Sequence, residues 1–287
     1  MGLSSMGVLP LSSKFSITRT VRYIVLIAMA ALFAFPFYWM FVTSVEPASR
    51  LSDIPPDVMP LFSWQNYAAA WNSAPWGRYF MNTVFIGTTA TAIAVFTSLL
   101  AGYAFASLRF PGKRLLFLSI LIVLIVPDEV IIVPQYLVLN DLNWLDTYQA
   151  QIVPFGASAF GIFLLRQFFR GLPADLWDAA QLDGCGRTAF LFRVAAPLAR
   201  PALVTVALYT FLGMWNQFLF PLVMAGGNET VQPLQVGLAT FLRVNSIAWS
   251  QLAAASVFTT LPLLVVFLLA QKQIIEGVAS ASGPGAK

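Results

Sequence analysis

The chain contains 287 residues, of which 59% are hydrophobic and only 10% are charged. Soluble domains carry about 25% charged residues, so this composition excludes an ordinary soluble domain and indicates an integral membrane protein. The sequence has no histidine and one cysteine, Cys185, which excludes histidine-dependent nucleophilic or zinc sites and cysteine-cluster metal sites. It also lacks the GxxxxGK[ST] loop that cradles phosphates. The sequence therefore predicts a non-catalytic chain without a metal or cofactor site, in which any ATP is bound by another chain.

Six stretches are long and apolar enough to cross the membrane as helices, since a span needs roughly 20 apolar residues. They cover residues 23–43, 80–106, 115–139, 150–169, 201–224 and 250–270. The first is too long for a signal-peptide core and ends in aromatic residues typical of the membrane interface. The predicted organisation is all-α, with a tail over 1–22, a first transmembrane helix over 23–43, an external loop over 44–78, a five-helix transmembrane domain over 79–271 and a tail over 272–287.

The basic residues orient these spans. With the N-terminus inside, 13 of the 16 Lys and Arg residues lie on the inner side, and only Arg50, Arg78 and Arg243 lie outside. Cytoplasmic loops are enriched in Lys and Arg, so both termini are predicted to be cytoplasmic. The basic character of the chain then reflects its membrane topology, so membrane lipid is an expected partner and no binding to nucleic acid is expected.

The predicted cytoplasmic loop 170–200 contains helix signals that a simple connection would not need. Pro173 suits a helix start, and Gly184 suits the left-handed residue that ends a helix. A second short helix is predicted over 187–195, because Pro197 would break it there. The loop is therefore expected to form two short helices rather than an open connection.

The first of these helices has two interpretations. It could be an interfacial amphipathic helix that lies on the bilayer. It could instead protrude and dock into a groove on a cytoplasmic partner, with Ala179 and Ala180 allowing close approach and acidic residues such as Asp175 meeting partner cations.

The sequence of this loop favours the second interpretation. It resembles the signature loop of permease subunits of binding-protein-dependent ABC importers, which has the form E-A-A, three residues, G, and later I-x-L-P. The matching segments are Asp178-Ala179-Ala180, Gly184 and Val194-Ala195-Ala196-Pro197. Asp178 stands for the usual Glu, Val194 for Ile and Ala196 for Leu. The resemblance implies that the residues coupled to an ATPase are Asp178, Ala179, Ala180, Asp183 and Gly184.

Nearly the whole sequence is similar to the carbohydrate-uptake branch of that family, the maltose-permease-like and glycerol-phosphate-permease-like second subunits. The segments that carry this similarity are 109–113, 163–169, 215–217, 236–238 and 277–287. The family usually has Glu where this chain has Gln217. The resemblance implies a type I ABC importer permease fold in a bacterial cytoplasmic membrane. It also implies four kinds of partner: a second homologous permease, two cytoplasmic ABC ATPase subunits, an extracytoplasmic solute-binding protein and a carbohydrate or polyol solute.

Carboxylates within a span usually face a cavity or a partner, because burying them in lipid costs roughly 2.5–3.5 kcal/mol. Asp128 and Glu129 fall inside the predicted third span between Pro127 and Pro134, which would loosen the helix. The pair is a candidate for lining a substrate path. The alternative is that it lies at the outer end of the span and reaches the lipid headgroups.

The predicted fifth span contains a second polar group, Asn216 and Gln217, beside Trp215. Amides and an aromatic ring face are what sugar hydroxyls and apolar sugar faces can use. These three residues are therefore candidates for the substrate path, and hydrogen bonding between helices is the alternative.

Together these features predict the permease subunit of an ATP-driven importer for a sugar or sugar-like solute, with glycerol phosphate or another polyol as the alternative. A secondary transporter driven by an ion gradient is the rival of a different class, since six spans and buried carboxylates would allow it. An enzyme that uses Asp128 and Glu129 as an acid–base pair is disfavoured, because neighbouring residues on a helix diverge by about 100°.

Overall fold

The computed structural model describes residues 17–51, 58–242 and 248–281, and this part of the chain is helical with connecting turns. The predicted outer position of Arg243, residues 1–16 of the first predicted tail and residues 282–287 of the second lie outside the described residues. The α-helices are α1 (Ile17–Ser44), α2 (Gln65–Asn72), α3 (Trp76–Ser107), α4 (Lys113–Val123), α5 (Asp128–Asp141), α6 (Tyr148–Ile152), α7 (Ala159–Arg170), α8 (Ala174–Leu182), α9 (Arg187–Phe190), α10 (Ala196–Leu198), α11 (Arg200–Asn216), α12 (Leu219–Met224), α13 (Leu234–Leu238) and α14 (Trp249–Ala281). Single 3₁₀ turns follow α6 at Val153–Phe155 and α13 at Ala239–Leu242, and a π turn at Leu191–Ala195 joins α9 to α10.

Four helical stretches of the described chain are long and apolar enough to cross a membrane: Arg19–Ser44, Trp76–Ser107, Tyr148–Arg170 and Trp249–Leu268. Two further spans are possible if each of two bent helix pairs is one span. The first pair is Lys113–Val123 with Asp128–Asp141, bent by 104°, and the second is Arg187–Leu198 with Arg200–Asn216, bent by 78°. The described chain thus has four to six candidate spans, and the predicted six are its upper limit.

Three predicted spans are not continuous helices. The span over 150–169 is interrupted at residues 156–158, between a 3₁₀ turn and α7, and prolines explain the breaks in the other two. A proline ring clashes with the carbonyl four residues earlier. For Pro127 that residue is Val123, where α4 ends, so the predicted helix over 115–139 is divided. For Pro221 it is Gln217, which has an extended backbone (ψ 124°) directly after α11, so the predicted helix over 201–224 is interrupted there.

The helix predicted over 187–195 extends further than expected, to Leu198. The chain passes Pro197 because a π turn precedes it: the Ala196 amide donates to the carbonyl of Leu191, five residues back. This wider turn accommodates a residue that has no amide hydrogen of its own. The break that proline was expected to cause falls instead at Ala199, between α10 and α11.

Helix α3 is the centre of the bundle and packs closely against α7 and α11. Glycine makes the approach to α7 possible at two levels. A Cβ atom on Gly102 would lie 2.8 Å from the Cβ of Leu165, and one on Gly161 would lie 2.5 Å from the Oγ of Ser98. Both distances are below van der Waals contact, so larger residues would push the helices apart. This packing sets the position of α8, which follows α7 directly.

Hydrogen bonds connect the end of α1 and the residues that follow it to α2 and α14. The Asn66 side chain donates to the carbonyls of Ser44 (3.0 Å) and Glu46 (2.9 Å), and the Ser250 hydroxyl donates to the same Glu46 carbonyl (2.9 Å). Helix α2 then packs on α14, where the Trp71 and Phe258 rings meet edge to face. These contacts hold the C-terminal end of α1 against the start of α14.

Candidate functional site

Helix α8 has the boundaries that its sequence signals require. Pro173 occupies the N-cap position, Asp175 lies in the first turn, and the helix ends at Leu182. Gly184 has φ +73°, which confirms the left-handed closing residue predicted for this position. The amide of Cys185 donates to the Ala180 carbonyl (2.8 Å), which satisfies one of the carbonyls left free at the helix end.

One side of α8 is fixed to the bundle. Leu176, Trp177 and Ala180 pack on a core cluster formed by α3, α7, α11 and the segment that follows α8. The Trp177 ring meets the Phe190 ring edge to face at 5.1 Å, and the Arg187 guanidinium lies over the Trp177 ring at 5.1 Å. An aromatic pair and a cation–π contact thus attach α8 to the core.

The opposite side of α8 is open to solvent. We call Asp175, Asp178, Ala179 and Leu182 the exposed face of α8, because these residues are three or four positions apart and all are exposed. The Leu182 side chain is 90% exposed, the highest value among the exposed large hydrophobic residues that the structure describes. This face therefore combines two carboxylates with a small residue and an apolar anchor.

The residues expected to couple to an ATPase divide between the two sides of α8. Asp178, Ala179, Asp183 and Gly184 are exposed, whereas Ala180 is only 9% exposed and packs inward. Ala180 thus serves the attachment of α8 to its own core, and the structure does not place it on the exposed face. The residues expected to couple did not include Leu182, although its spacing from Asp175, Asp178 and Ala179 places it on the same face of the helix.

Four of the five candidate substrate-path residues line one cavity. Asp128, Glu129, Asn216 and Gln217 meet in a cavity of about 420 Å³ between the start of α5 and the end of α11. Both helix breaks described above open onto it, since α5 begins at Asp128 and α11 ends at Asn216. Its remaining walls include three aromatic rings, Phe155, Phe218 and Phe220. We call this space the α5–α11 cavity.

The polar groups of the α5–α11 cavity are suited to bind hydroxyl groups. Asp128 and Glu129 lie in the first turn of α5, where free backbone amides favour carboxylates. The Asn216 amide donates to the Leu212 carbonyl (2.9 Å), which fixes one end of its side chain. The cavity thus offers carboxylate and amide groups next to aromatic rings, a combination that binds sugars through hydrogen bonds and ring stacking.

Trp215 does not line this cavity. Its side chain is 2% exposed and belongs to a different core cluster, where the ring contacts Phe211 (5.7 Å) and Phe80 (6.0 Å). Adjacent residues on a helix point about 100° apart, so Trp215 and Asn216 face different surroundings. The structure therefore separates Trp215 from the other four candidates.

The chain matches a family model over residues 94–279, described as the binding-protein-dependent transport system inner membrane component. It is similar to the arabinooligosaccharides transport system permease protein AraQ of Bacillus subtilis (strain 168), with 33% identity over 93% of this chain and 96% of that protein. It is also similar to the diacetylchitobiose uptake system permease protein NgcG of Streptomyces coelicolor, with 32% identity over 91% of this chain and 88% of that protein. The sn-glycerol-3-phosphate transport system permease protein UgpE of Yersinia pestis bv. Antiqua (strain Antiqua) is 32% identical over 90% of this chain and 95% of that protein.

A solved structure has the same fold. A chain of a bacterial ABC transporter involved in the import of the acidic polysaccharide alginate superposes with a TM-score of 0.78, over 92% of this chain and 99% of that chain, at 23% sequence identity. This similarity confirms the predicted all-helical, type I importer permease fold.

Proposed function

The chain belongs to the family of binding-protein-dependent transport system inner membrane components, and on this premise we propose that it is the permease subunit of an ATP-driven importer for a sugar or sugar-like solute. The observation that carries the proposal is the geometry of α8. A short helix is attached to the core through one side and presents carboxylates and a 90% exposed leucine on the other. Such a face is suited to dock on a partner.

The proposed complex contains a second homologous permease, two cytoplasmic ATPase subunits and an extracytoplasmic solute-binding protein. In this arrangement both termini and the loop 170–200 are cytoplasmic, and residues 79–271 form the five-helix transport domain. The exposed face of α8, together with Asp183 and Gly184, docks on an ATPase subunit. ATP is bound by that partner, and this chain contributes no catalytic group.

Coupling then operates through two states of the complex. Closure of the ATPase dimer on ATP pushes α8, and the attachment of Trp177 and Ala180 to the core transmits the movement to α3, α7 and α11. The bundle rocks between inward-facing and outward-facing states. The docking contacts must differ in strength between these states, because a contact of equal strength in both would shift no equilibrium.

The chemistry of the α5–α11 cavity supports a neutral, hydroxyl-rich solute. Carboxylates accept hydrogen bonds from sugar hydroxyls, whereas they repel a phosphate that lacks a compensating cation. Two of the relatives described above are named for arabinooligosaccharides and diacetylchitobiose, and a third is named for sn-glycerol-3-phosphate. With Asp128 and Glu129 in the cavity, a sugar is favoured over glycerol phosphate.

Reconstituted proteoliposomes test this function. Vesicles that contain this chain, the second permease and the ATPase subunits are loaded with ATP, and the binding protein is added outside with a panel of radiolabelled oligosaccharides, monosaccharides and polyols. We expect uptake of a sugar that requires both internal ATP and the ATPase subunits and that survives collapse of the ion gradients with ionophores. Uptake that continues without ATP and depends on an ion gradient would instead identify a secondary transporter.

A further inference from the structure

A second, much smaller cavity lies beside the α5–α11 cavity. Its volume is about 10 Å³, and Gln217 and Phe220 line both spaces. The other residues around the small cavity include Thr83 of α3 and Gln151 of α6. A cavity needs a volume of roughly 10–15 Å³ to hold one water molecule, so this cavity has room for one water and for no larger ligand.

Two buried acceptors meet at this small cavity. Among the atoms of the described residues, the Oε1 of Gln151 and the Oε1 of Gln217 are buried and have no hydrogen-bond partner. The Gln151 side chain is only 2% exposed. An unpaired buried carbonyl of this kind costs about 1–3 kcal/mol, so two of them at one cavity require a common explanation.

The orientation of the Gln151 amide is fixed by its other end. Its Nε2 donates to the carbonyl of Val231 at 3.0 Å. A flipped amide would place two acceptor oxygens against each other. The Oε1 of Gln151 is therefore the atom left to the cavity, and it needs a donor.

We propose that one water molecule bridges Gln151 and Gln217 and that Gln151 is thereby a positioning residue for Gln217. A water molecule has two hydrogens to donate, which matches the two unpaired acceptors. A metal cation is disfavoured, because neutral amide and hydroxyl oxygens alone would not compensate the burial of its charge. With its oxygen held by the water, the Gln217 amide keeps its NH₂ group for the α5–α11 cavity.

The bridge also links the candidate substrate cavity to the segment after α12. Gln151 is bonded to Val231, and the Thr83 hydroxyl, which lines the same small cavity, accepts from the Leu234 amide at 2.8 Å. At the backbone break the Gln217 amide makes only a long bond to the Met214 carbonyl (3.4 Å), and the side-chain oxygen of Gln217 has no partner among the described residues. The water supplies that partner, and this role of Gln151 rests on the proposed function of Gln217.

A double-mutant cycle in the purified complex tests the bridge without reference to transport. Gln151→Met and Gln217→Met each leave one acceptor of the cavity unpaired, so each is expected to lower the midpoint of thermal unfolding by about 2–4 °C. Gln151→Met lowers it further, because it also removes the donor to the Val231 carbonyl. The double variant removes both acceptors and is expected to unfold no lower than the worse single variant. The lost bond to Val231 is common to both Gln151 variants and cancels in the cycle. Additive shifts would overturn the bridge.

Two controls sharpen this measurement. Thr91→Val removes a buried hydroxyl that also has no partner among the described residues but does not line the small cavity, so its effect should add to that of Gln217→Met. Replacement of sodium by choline should leave the wild-type midpoint unchanged. If sodium stabilises the wild-type complex but not the Gln151→Met variant, the bridging group is a cation rather than a water molecule.

If a variant fails to assemble, a cryo-EM map of the wild-type complex decides the question directly. Density for one water between the two Oε1 atoms is expected. A map that shows ordered waters elsewhere in the core and none at this position would overturn the bridge.

The positioning role is tested by uptake kinetics in proteoliposomes. Gln151→Met is expected to raise the KM for the solute about 3–10-fold with little change in the maximal rate, and to add nothing in the Gln217→Met background. A fall in the maximal rate without a change in KM would show that Gln151 has only a structural role. Failure of the proposed function would give a different result. Asn216→Ala and Glu129→Gln would then leave uptake unchanged, while the double-mutant cycle of thermal unfolding would still detect the bridge.

Discussion

Replacement of Asp178 by lysine is expected to reduce ATP-coupled uptake about 30-fold or more while the chain still inserts and assembles with the second permease. Asp178 is exposed on α8 and makes no contribution to the core, so the variant should fold. On the proposed interface, loss of a carboxylate from a desolvated charge pair costs about 2–5 kcal/mol, and 1.4 kcal/mol is a factor of ten. The measurement is solute uptake and ATPase turnover in proteoliposomes.

The matched control is Asp141→Lys. Asp141 is also an exposed aspartate on a helix, and it is the last residue of α5. Asp141→Lys reverses the charge in the same way and should leave ATP-coupled uptake unchanged. Equal co-purification of the ATPase with both variants, together with normal turnover in Asp178→Lys, would show that α8 does not dock as proposed.

Substitution of Gly184 tests the same interface through a change in backbone conformation alone. A Cβ atom at this position would meet no atom within 4 Å, and the residue has φ +73°. Gly184→Val is therefore expected to act only by straining the left-handed turn, at a cost of about 1–3 kcal/mol, and to abolish coupling by changing how the chain leaves α8. Gly184→Asn, which tolerates this conformation, should retain most of the activity. Equal activity of the two variants would contradict a role for the turn.

In the α5–α11 cavity, Glu129→Gln is expected to raise the KM for a neutral sugar about 10–100-fold, because hydrogen bonds to a charged group contribute about 1.5–3 kcal/mol. Asn216→Ala removes a neutral amide and should raise the KM about 3–10-fold. Removal of the Glu129 charge should also weaken the rejection of anionic solutes, so uptake of glycerol phosphate should increase relative to that of the sugar. Initial uptake rates across the solute panel measure both effects.

Two substitutions outside the cavity serve as controls. Asn140→Ala removes an exposed amide of α5, and Glu229→Gln neutralises an exposed carboxylate beyond α12; neither residue lines the cavity. Both should transport normally. If Asn216→Ala and Glu129→Gln also leave rate and selectivity unchanged, the cavity is not part of the substrate path.

Local signals in the sequence predicted the two ends of α8 well. Pro173 and Gly184 mark the two ends of α8 in the structure as they did in the sequence, because a fixed φ and a left-handed residue act within one turn of chain. The same reasoning could not tell which side of α8 faces the core. That is decided by Trp177 and Phe190, which meet only after the chain has folded, and it turns Ala180 inward and leaves Leu182 exposed.

The membrane spans were harder to predict, because the apolar composition of a stretch does not show where its helix is interrupted. Pro221 lies four residues after Gln217, where α11 has ended, but Pro36, Pro134 and Pro262 lie inside unbroken helices, so a proline alone does not predict the break. The position of Trp215 and the pairing of Gln151 with Gln217 at one cavity were not accessible from the sequence. Both depend on contacts between helices that are distant along the chain.

Photo-cross-linking from position 182 tests the docking of α8 most directly. Leu182→Cys in a Cys185→Ser background gives a chain with one thiol, which is labelled with a benzophenone and illuminated in the assembled complex. We expect a cross-link to the ATPase subunit whose yield changes on ATP binding, and no such product from Leu142→Cys, a 50% exposed leucine that follows α5. Labelled complex that remains intact and gives no ATPase cross-link from position 182, with or without ATP, would contradict the account.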